Sequence, residues 1–233
     1  PNYSATAEKS DEWVQIKPDT DAAFALAAAK YIIDEGLFDQ EYVSNFSDLP
    51  ILINIDTGKR VLARDVAGLS EINPEYRETY VVLQDGNPVA LDPEHIGNTP
   101  NLDLEASTTL NLKDGSLIQV KTAFTLLRES LEEYSPEYAS EITAVPAETI
   151  TRIARECATI KPMHIIFGGS AMQWHHGDLK GRACALLAVL TGNVGQLGGG
   201  ISTYVGQYKT RFSTASWFIP EKAKRASSPF HYA

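Results

Sequence analysis

Cysteine is scarce in this chain. Cys157 and Cys184 are the only two in 233 residues. They lie far apart and outside any CxxC spacing, so no disulfide framework or zinc knuckle is written here. Both fall on the apolar side of expected helices, which reads as buried thiols. Basic residues are in the minority: 20 Lys and Arg against 30 Asp and Glu, a net charge of −10. That balance argues against nucleic acid, or an anionic membrane, as the main partner. No apolar run approaches the roughly 20 residues that span a bilayer as a helix. The GxGxxG spacing of nicotinamide folds is missing, as is HExxH, and no internal repeat or low-complexity tract stands out. The chain opens at Pro1 and ends in the unpunctuated SSPFHYA, which leads us to expect a piece of a larger protein.

What is present is a core-forming chain, 43% hydrophobic, whose texture changes twice. Residues 1–17 read as an irregular entry with one strand, Trp13–Ile16. KPDTDAAFALAAAKYIIDEGLF predicts a helix with Thr20 as N-cap, Asp21 in the first turn and Gly36 as the stop. Asp39 is placed to cap a short helix through Tyr42 and Phe46. From about 49 to 121, short β-rich runs (ILINI, RVLA, YVVL, VAL, TLNL, SLIQV) alternate with Asp-Thr-Gly and Asp-Gly turns, the chemistry of antiparallel hairpins. Residues 93–108 read as an exposed loop.

Helical spacing returns over Thr122–Tyr134. Ser135-Pro136-Glu137 predicts a capped helix start, and Pro146 with Glu148 predicts another, whose stripe is Ile150, Ile153, Ala154, Cys157 and Ala158. Lys161-Pro162 ends it. A strand, Met163–Phe167, is followed by a glycine loop and a helix, Leu179–Leu190. The fold class expected is therefore α/β: a parallel sheet with flanking helices and a β-rich hairpin insertion. Residues 1–48 and 122–233 form the two parts of an α/β cofactor-binding domain, and 49–121 the insertion.

Met163–Tyr208 carries the chemistry. Gly168-Gly169-Ser170 directly follows a strand, where glycines let backbone N–H groups approach a phosphate. A tight strand-exit turn explains the same residues. Gln173, Trp174, His175 and His176 form a polar loop suited to hydrogen bonding a ligand, with capping and plain exposure as the bland alternatives. Adjacent histidines in an extended loop point to opposite sides, which disfavours a shared metal. Asp178 reads as the N-cap or a first-turn residue of the following helix. Arg182, one turn in, suits a phosphate or carboxylate clamp, or equally a solvated helix face. Thr191-Gly192-Asn193 and Gly198-Gly199-Gly200 hold more glycine than a C-cap needs, which implies close backbone approach to something. Asp21 is a helix-start carboxylate that caps, or that accepts the N1–H and N2–H pair of a guanine.

Taken together, these segments resemble the catalytic alpha subunits of the dimethyl sulfoxide reductase family of molybdenum oxidoreductases. Pro18–Ala29, Tyr138–Ala158 and Gly168–Gly200 carry the resemblance, which leaves out only the β-rich middle. Tyr3–Ala7 and Tyr204–Lys209 are similar to the nitrate reductase and nitrite oxidoreductase branch. WHHGDLKGRACALLAVLTGNVG with GGGISTYVGQYKTRF is most similar to nitrite oxidoreductase alpha subunits, with nitrate, chlorate and perchlorate reductases close behind.

The resemblance implies a molybdenum bis(molybdopterin guanine dinucleotide) cofactor and a small oxyanion substrate, nitrite or nitrate. It implies that Asp21 contacts a guanine, and that Gly168, Gly169, Ser170 and the loop Gln173, Trp174, His175, His176 line the pterin or pyrophosphate. Arg182, Thr191, Gly192 and Asn193 help to hold the same assembly. The molybdenum ligand and the ligands of a 4Fe-4S cluster belong to a region that this sequence lacks. The implied partners are an iron–sulfur beta subunit with a membrane or haem gamma subunit, on either face of a bacterial membrane. Nucleic acid is not among them. Two rivals remain: a non-catalytic α/β dinucleotide-binding module, and a nicotinamide dehydrogenase, which the missing fingerprint disfavours.

Overall fold

Helix 21–34 forms the middle of the fold because its alanines let other helices come close. The computed structural model describes residues 2–69, 78–91, 101–168, 173 and 175–203. The chain enters through a single-turn helix, α1 (Ala5–Glu8), then reaches α2 (Asp21–Asp34) and α3 (Gln40–Phe46). Gly36 ends α2 at φ 63°. Its N–H donates to Ile33 O at 3.0 Å, and that of Leu37 donates to Ile32 O at 2.9 Å, the paired bonds of a Schellman stop. Asp39 caps α3 as expected, its Oδ1 accepting the Tyr42 N–H at 3.0 Å.

The middle section forms strands β1 (Leu52–Asn54), β2 (Val81–Gln84), β3 (Asn87–Ala90), β4 (Ser107–Asn111) and β5 (Leu117–Thr122). They make an antiparallel sheet in the order β1-β5-β4 and a separate β2-β3 hairpin. The hairpin turns on Asp85 and Gly86, with φ 49° and 79°, the paired positive values of a two-residue I′ turn. Leu52, Val61, Val81, Leu83, Leu110 and Val120 close a core of their own there. Two expectations change in this section. The RVLA run makes only isolated bridges at Arg60 and Leu62, then a 3-10 turn at Ala63–Asp65. The loop expected over 93–108 gives way to strand at Ser107, and Leu104 is buried, its carbonyl accepting the Thr122 hydroxyl.

Helices α4 (Ala123–Ser130), α5 (Pro136–Thr143) and α6 (Ala147–Thr159) follow. Helix α4 stops earlier than its periodicity predicts, turning at Leu131, which is buried in the main core. Ser135 caps α5, its Oγ accepting the Tyr138 N–H at 3.1 Å. Then come β6 (His164–Phe167), α7 (Gly177–Leu190) and β7 (Gly200–Thr203). Strands β6 and β7 pair in parallel, His164 opposite Gly200, so β6-α7-β7 is a βαβ unit. The second strand comes directly out of the glycine run, where only a loop was expected.

The main core joins α2, α3, α6 and α7 through Ala28, Ile32, Val43, Ala154, Leu187 and Leu190. A smaller cluster sets Ala27 against Ala139, Val145 and Ile150, with Val14 and Ile16 laid over it. The strand expected at Trp13–Ile16 is not one: the segment pairs with no strand among the described residues. Its apolar side chains are held by helices instead. No described helix is long and apolar enough to cross a membrane.

Candidate functional site

Three sequence segments that were singled out separately meet at one edge of the βαβ unit. Strand β6 ends at Phe167, Gly168 follows, and α7 begins at Gly177. The start of α7 lies beside the start of α2: Lys180 is ion-paired with Asp19, and the Cys184 thiol feels the charge of Asp21. A strand's carboxyl end beside helix starts is where α/β folds bind phosphate-bearing ligands.

The two helix starts are open in the same way. Thr20 is the N-cap of α2 but makes no capping bond, because its hydroxyl donates to Lys17 O at 2.7 Å instead. His176 is the N-cap of α7, in the left-handed region at φ 56°, and it too makes no side-chain capping bond. No N-cap side chain takes a first-turn N–H of either helix, while the Ala23 and Leu179 N–H groups donate to Thr20 O and His176 O. Asp21 is half-buried in the first turn of α2, and its carboxylate makes no hydrogen bond or ion pair with a described residue. Its nearest consequence is on Cys184. Burial, and then the Asp21 charge, push that thiol up to about 11, which leaves it protonated and inert at neutral pH. Cys157 is also raised, by burial and then by Glu156. Both cysteines are free and only partly buried.

The polar loop differs from its expected geometry. The His175 and His176 rings lie 3.8 Å apart, centroid to centroid, because the left-handed turn at His176 replaces an extended loop. Both are exposed, as is Gln173, and no metal-binding cluster exists among the described residues. Gly168 is exposed, with nothing near an added Cβ. Arg182 is exposed on α7 and makes no ion pair with a described residue. Gly169, Ser170 and Trp174 lie outside the described residues. Asp178 sits in the first turn of α7.

Thr191, Gly192 and Asn193 are elsewhere. Helix α7 has 14 residues and so is about 21 Å long, and these three sit beyond its far end. Thr191 and Asn193 are wholly buried. The Thr191 hydroxyl donates to Leu187 O at 2.7 Å, and the Asn193 amide donates to Thr191 Oγ1 at 2.8 Å. Asn193 Oδ1 accepts the Met163 N–H at 2.8 Å. Gly192, at φ +65°, faces Asp39, whose Oδ2 would lie 2.5 Å from an added Cβ. A Cβ at Gly199 would lie 2.7 Å from Asn193 O. The close approach that these glycines imply is thus made by the chain itself.

Asp39 and Lys161 complete this second region, and neither was singled out as a site residue. Lys161 Nζ meets Asp39 Oδ2 at 2.9 Å, beside a cavity of about 410 Å³ that Gly192 and Gln196 also line. Burial alone would raise the Asp39 carboxyl. The Lys161 ammonium and the Tyr42 N–H outweigh it and hold the group below its ordinary value. The Asp19–Lys180 pair was missed as well. Its signal was available, because Lys180, Ala183 and Leu187 share one helical face, and all three are buried. A larger cavity, about 550 Å³, lies along Glu12–Pro18 and Pro146, and neither Gly168 nor a residue of α7 is among its lining.

A family model described as molybdopterin oxidoreductase matches residues 1–228. The chain is 36% identical over 221 residues to the alpha subunit of a respiratory nitrate reductase of Haloferax mediterranei, covering 89% of this chain and 22% of that protein. It is 34% identical over 236 residues to the alpha subunit of a perchlorate reductase of Dechloromonas aromatica, covering 91% and 26%. A sulfite dehydrogenase subunit of Allochromatium vinosum is 37% identical over 166 residues, or 66% of this chain and 15% of that protein. The chain spans about a quarter or less of the length of these relatives.

Proposed function

Because the chain belongs to the molybdopterin oxidoreductase family, we propose that it is a cofactor-holding section of a catalytic alpha subunit that interconverts nitrite and nitrate. The observation that carries this reading is the convergence of the β6 carboxyl end with the starts of α2 and α7, where Asp21, in the first turn of α2, pairs with no described residue. The donor set fits an anionic guanine dinucleotide: two helix starts whose N-cap side chains take no N–H, for phosphate oxygens, and one carboxylate with no partner among the described residues, for a guanine edge.

In this reading Asp21 accepts the guanine N1–H and N2–H. Gly168, Gly169 and Ser170 offer backbone N–H groups, and Gln173, Trp174, His175 and His176 line the pterin or pyrophosphate. Arg182 pairs with a phosphate. Thr191, Gly192 and Asn193 act indirectly, by fixing where β6 and β7 begin. The bound molybdenum cofactor supplies oxygen-atom transfer and two-electron exchange, in the overall conversion nitrite + water ⇌ nitrate + two protons + two electrons. The protein's part is to bind, to orient and to exclude water. A 4Fe-4S cluster, an iron–sulfur beta subunit, and a membrane or haem gamma subunit complete the electron path.

The loop and helix sequence from Trp174 to Gly195 favours nitrite oxidation, while the identity to the alpha chain of a nitrate reductase supports the reverse direction. A chlorine oxyanion is the second reading, supported by the identity to a perchlorate reductase.

The test is metal and nucleotide analysis of the native protein purified with its partners, followed by assay. Molybdenum with about two guanines per metal, and nitrite-dependent dye reduction or nitrate-dependent dye oxidation, support the proposal. Turnover of chlorate or perchlorate alone moves the substrate to the second reading. No molybdenum and no guanine overturns it in favour of a non-catalytic binding module.

A further inference from the structure

Asp19 is a non-glycine residue held in the left-handed region, at φ 73°. That conformation crowds a Cβ and persists only where the surroundings compensate. Its carboxylate is ion-paired with Lys180, whose side chain is only 4% exposed against 37% for Asp19. Lys180 lies three residues into α7 from Gly177, and Asp19 lies two residues before Asp21. The pair therefore bridges the two helix starts at the edge where the cofactor is proposed to lie. Apolar contacts already hold the bodies of α2 and α7 together through Ala25, Ala28, Ala183 and Leu187. Those contacts do not reach the turn itself, where Pro18 and Asp19 are exposed; its flanks are held by the Lys17 N–H on Thr143 O and the Thr20 hydroxyl on Lys17 O.

We infer that the Asp19–Lys180 pair is a positioning device: it holds the turn before α2 in its left-handed form and so sets where the Asp21 carboxylate points. The inference rests on the reading that Asp21 faces a guanine dinucleotide, and it assigns Asp19 and Lys180 to that site without contact to the ligand. A buried Lys fits this role, because a charge taken out of water holds its partner tightly and in few geometries.

A double variant separates positioning from plain stability. In Asp19→Gly/Lys180→Met, glycine accepts the left-handed backbone and methionine refills the buried stem, an exchange of a buried ion pair that is often neutral for stability. The native enzyme and this variant are compared for melting temperature, guanine content after dialysis, and the pH profile of Cys184 alkylation in cofactor-stripped protein. The positioning role predicts an unchanged melting temperature, about tenfold weaker cofactor retention, and a Cys184 profile moved to lower pH as Asp21 swings away. Lys180→Arg, which keeps the charge and the partner Asp19, should match the wild type in guanine retention and in the Cys184 profile. Wild-type guanine content and an unmoved Cys184 profile in the double variant overturn the inference. Guanine absent from the wild-type enzyme sinks the functional reading instead, and the alkylation profile still decides whether the pair positions Asp21. If the double variant does not fold, Asp19→Asn is used. It tolerates the left-handed backbone without being held in it, loses the ion pair, and carries the same two criteria.

Discussion

The side-chain oxygen of Asn193 accepts the backbone N–H of Met163 at 2.8 Å, and so ties the loop after α7 to the first residue before β6. Next to it, Gly200 N–H donates to Met163 O at 3.0 Å. One buried amide therefore sets the register at which the two parallel strands start, and with it the place where they end, at the proposed cofactor edge.

Asn193→Ala should destabilise the native protein by about 1–3 kcal/mol, since it removes the side-chain partner of the half-buried Met163 N–H and one of the two partners of the buried Thr191 hydroxyl. Denaturant titration reads this directly. A loss under about 0.5 kcal/mol would mean that water enters and replaces the amide.

Gly192→Ala and Gly86→Ala make a matched pair. Both glycines have positive φ, at 65° and 79°, so each alanine costs about 1 kcal/mol for backbone strain alone. Only at Gly192 does the new Cβ meet an atom, Asp39 Oδ2 at 2.5 Å. Gly192→Ala should therefore cost at least about 1 kcal/mol more than Gly86→Ala. Equal losses in thermal or urea melts would show that Asp39 moves aside freely.

The Asp39 carboxyl lies below its ordinary value of 3.8 through Lys161 and the Tyr42 N–H, which outweigh burial. A carboxyl with a lowered folded value stabilises the protein fully above its unfolded value, and loses that contribution as pH falls through the folded one. Stability curves of wild type and Asp39→Asn should be parallel from about pH 5 to 7 and should converge below about pH 4. A gap that persists into strong acid would assign the effect to the cap hydrogen bond instead.

Cys184 should alkylate slowly in the native protein at neutral pH, because its thiol is pushed up to about 11 by burial and by Asp21. Asp21→Asn removes the second cause, so the pH profile of alkylation should move down while the partial burial of Cys184 is unchanged. Iodoacetamide kinetics in a Cys157→Ser background check this. An unmoved profile would show that the Asp21 charge does not reach Cys184.

Much of the local structure was legible because its causes are local. Asp39, Ser135 and Gly36 act on N–H and C=O groups within a few residues, so α3, α5 and the end of α2 fall where sequence places them. The Asp85-Gly86 hairpin is local in the same sense. Where a partner decides the state, sequence reading went astray. Trp13–Ile16 has a strand's alternation but lies on helices, and Ile201–Thr203 hides behind three glycines because its partner, β6, is over 30 residues away in sequence.

The proposed site divides along the same line. Residue types and spacing alone determined that glycine loops flank a helix and that a carboxylate sits at a helix start; the family came from the resemblance of whole segments. Tertiary structure decided which of these meet. It brought Asp21, Gly168 and the His176 turn to one edge, and it sent Thr191–Asn193 to the other end of α7, because a rigid helix keeps its two ends apart. It also added Asp19 and Lys180, whose pairing spans the chain from one helix start to another and leaves only a buried lysine in the pattern as its trace.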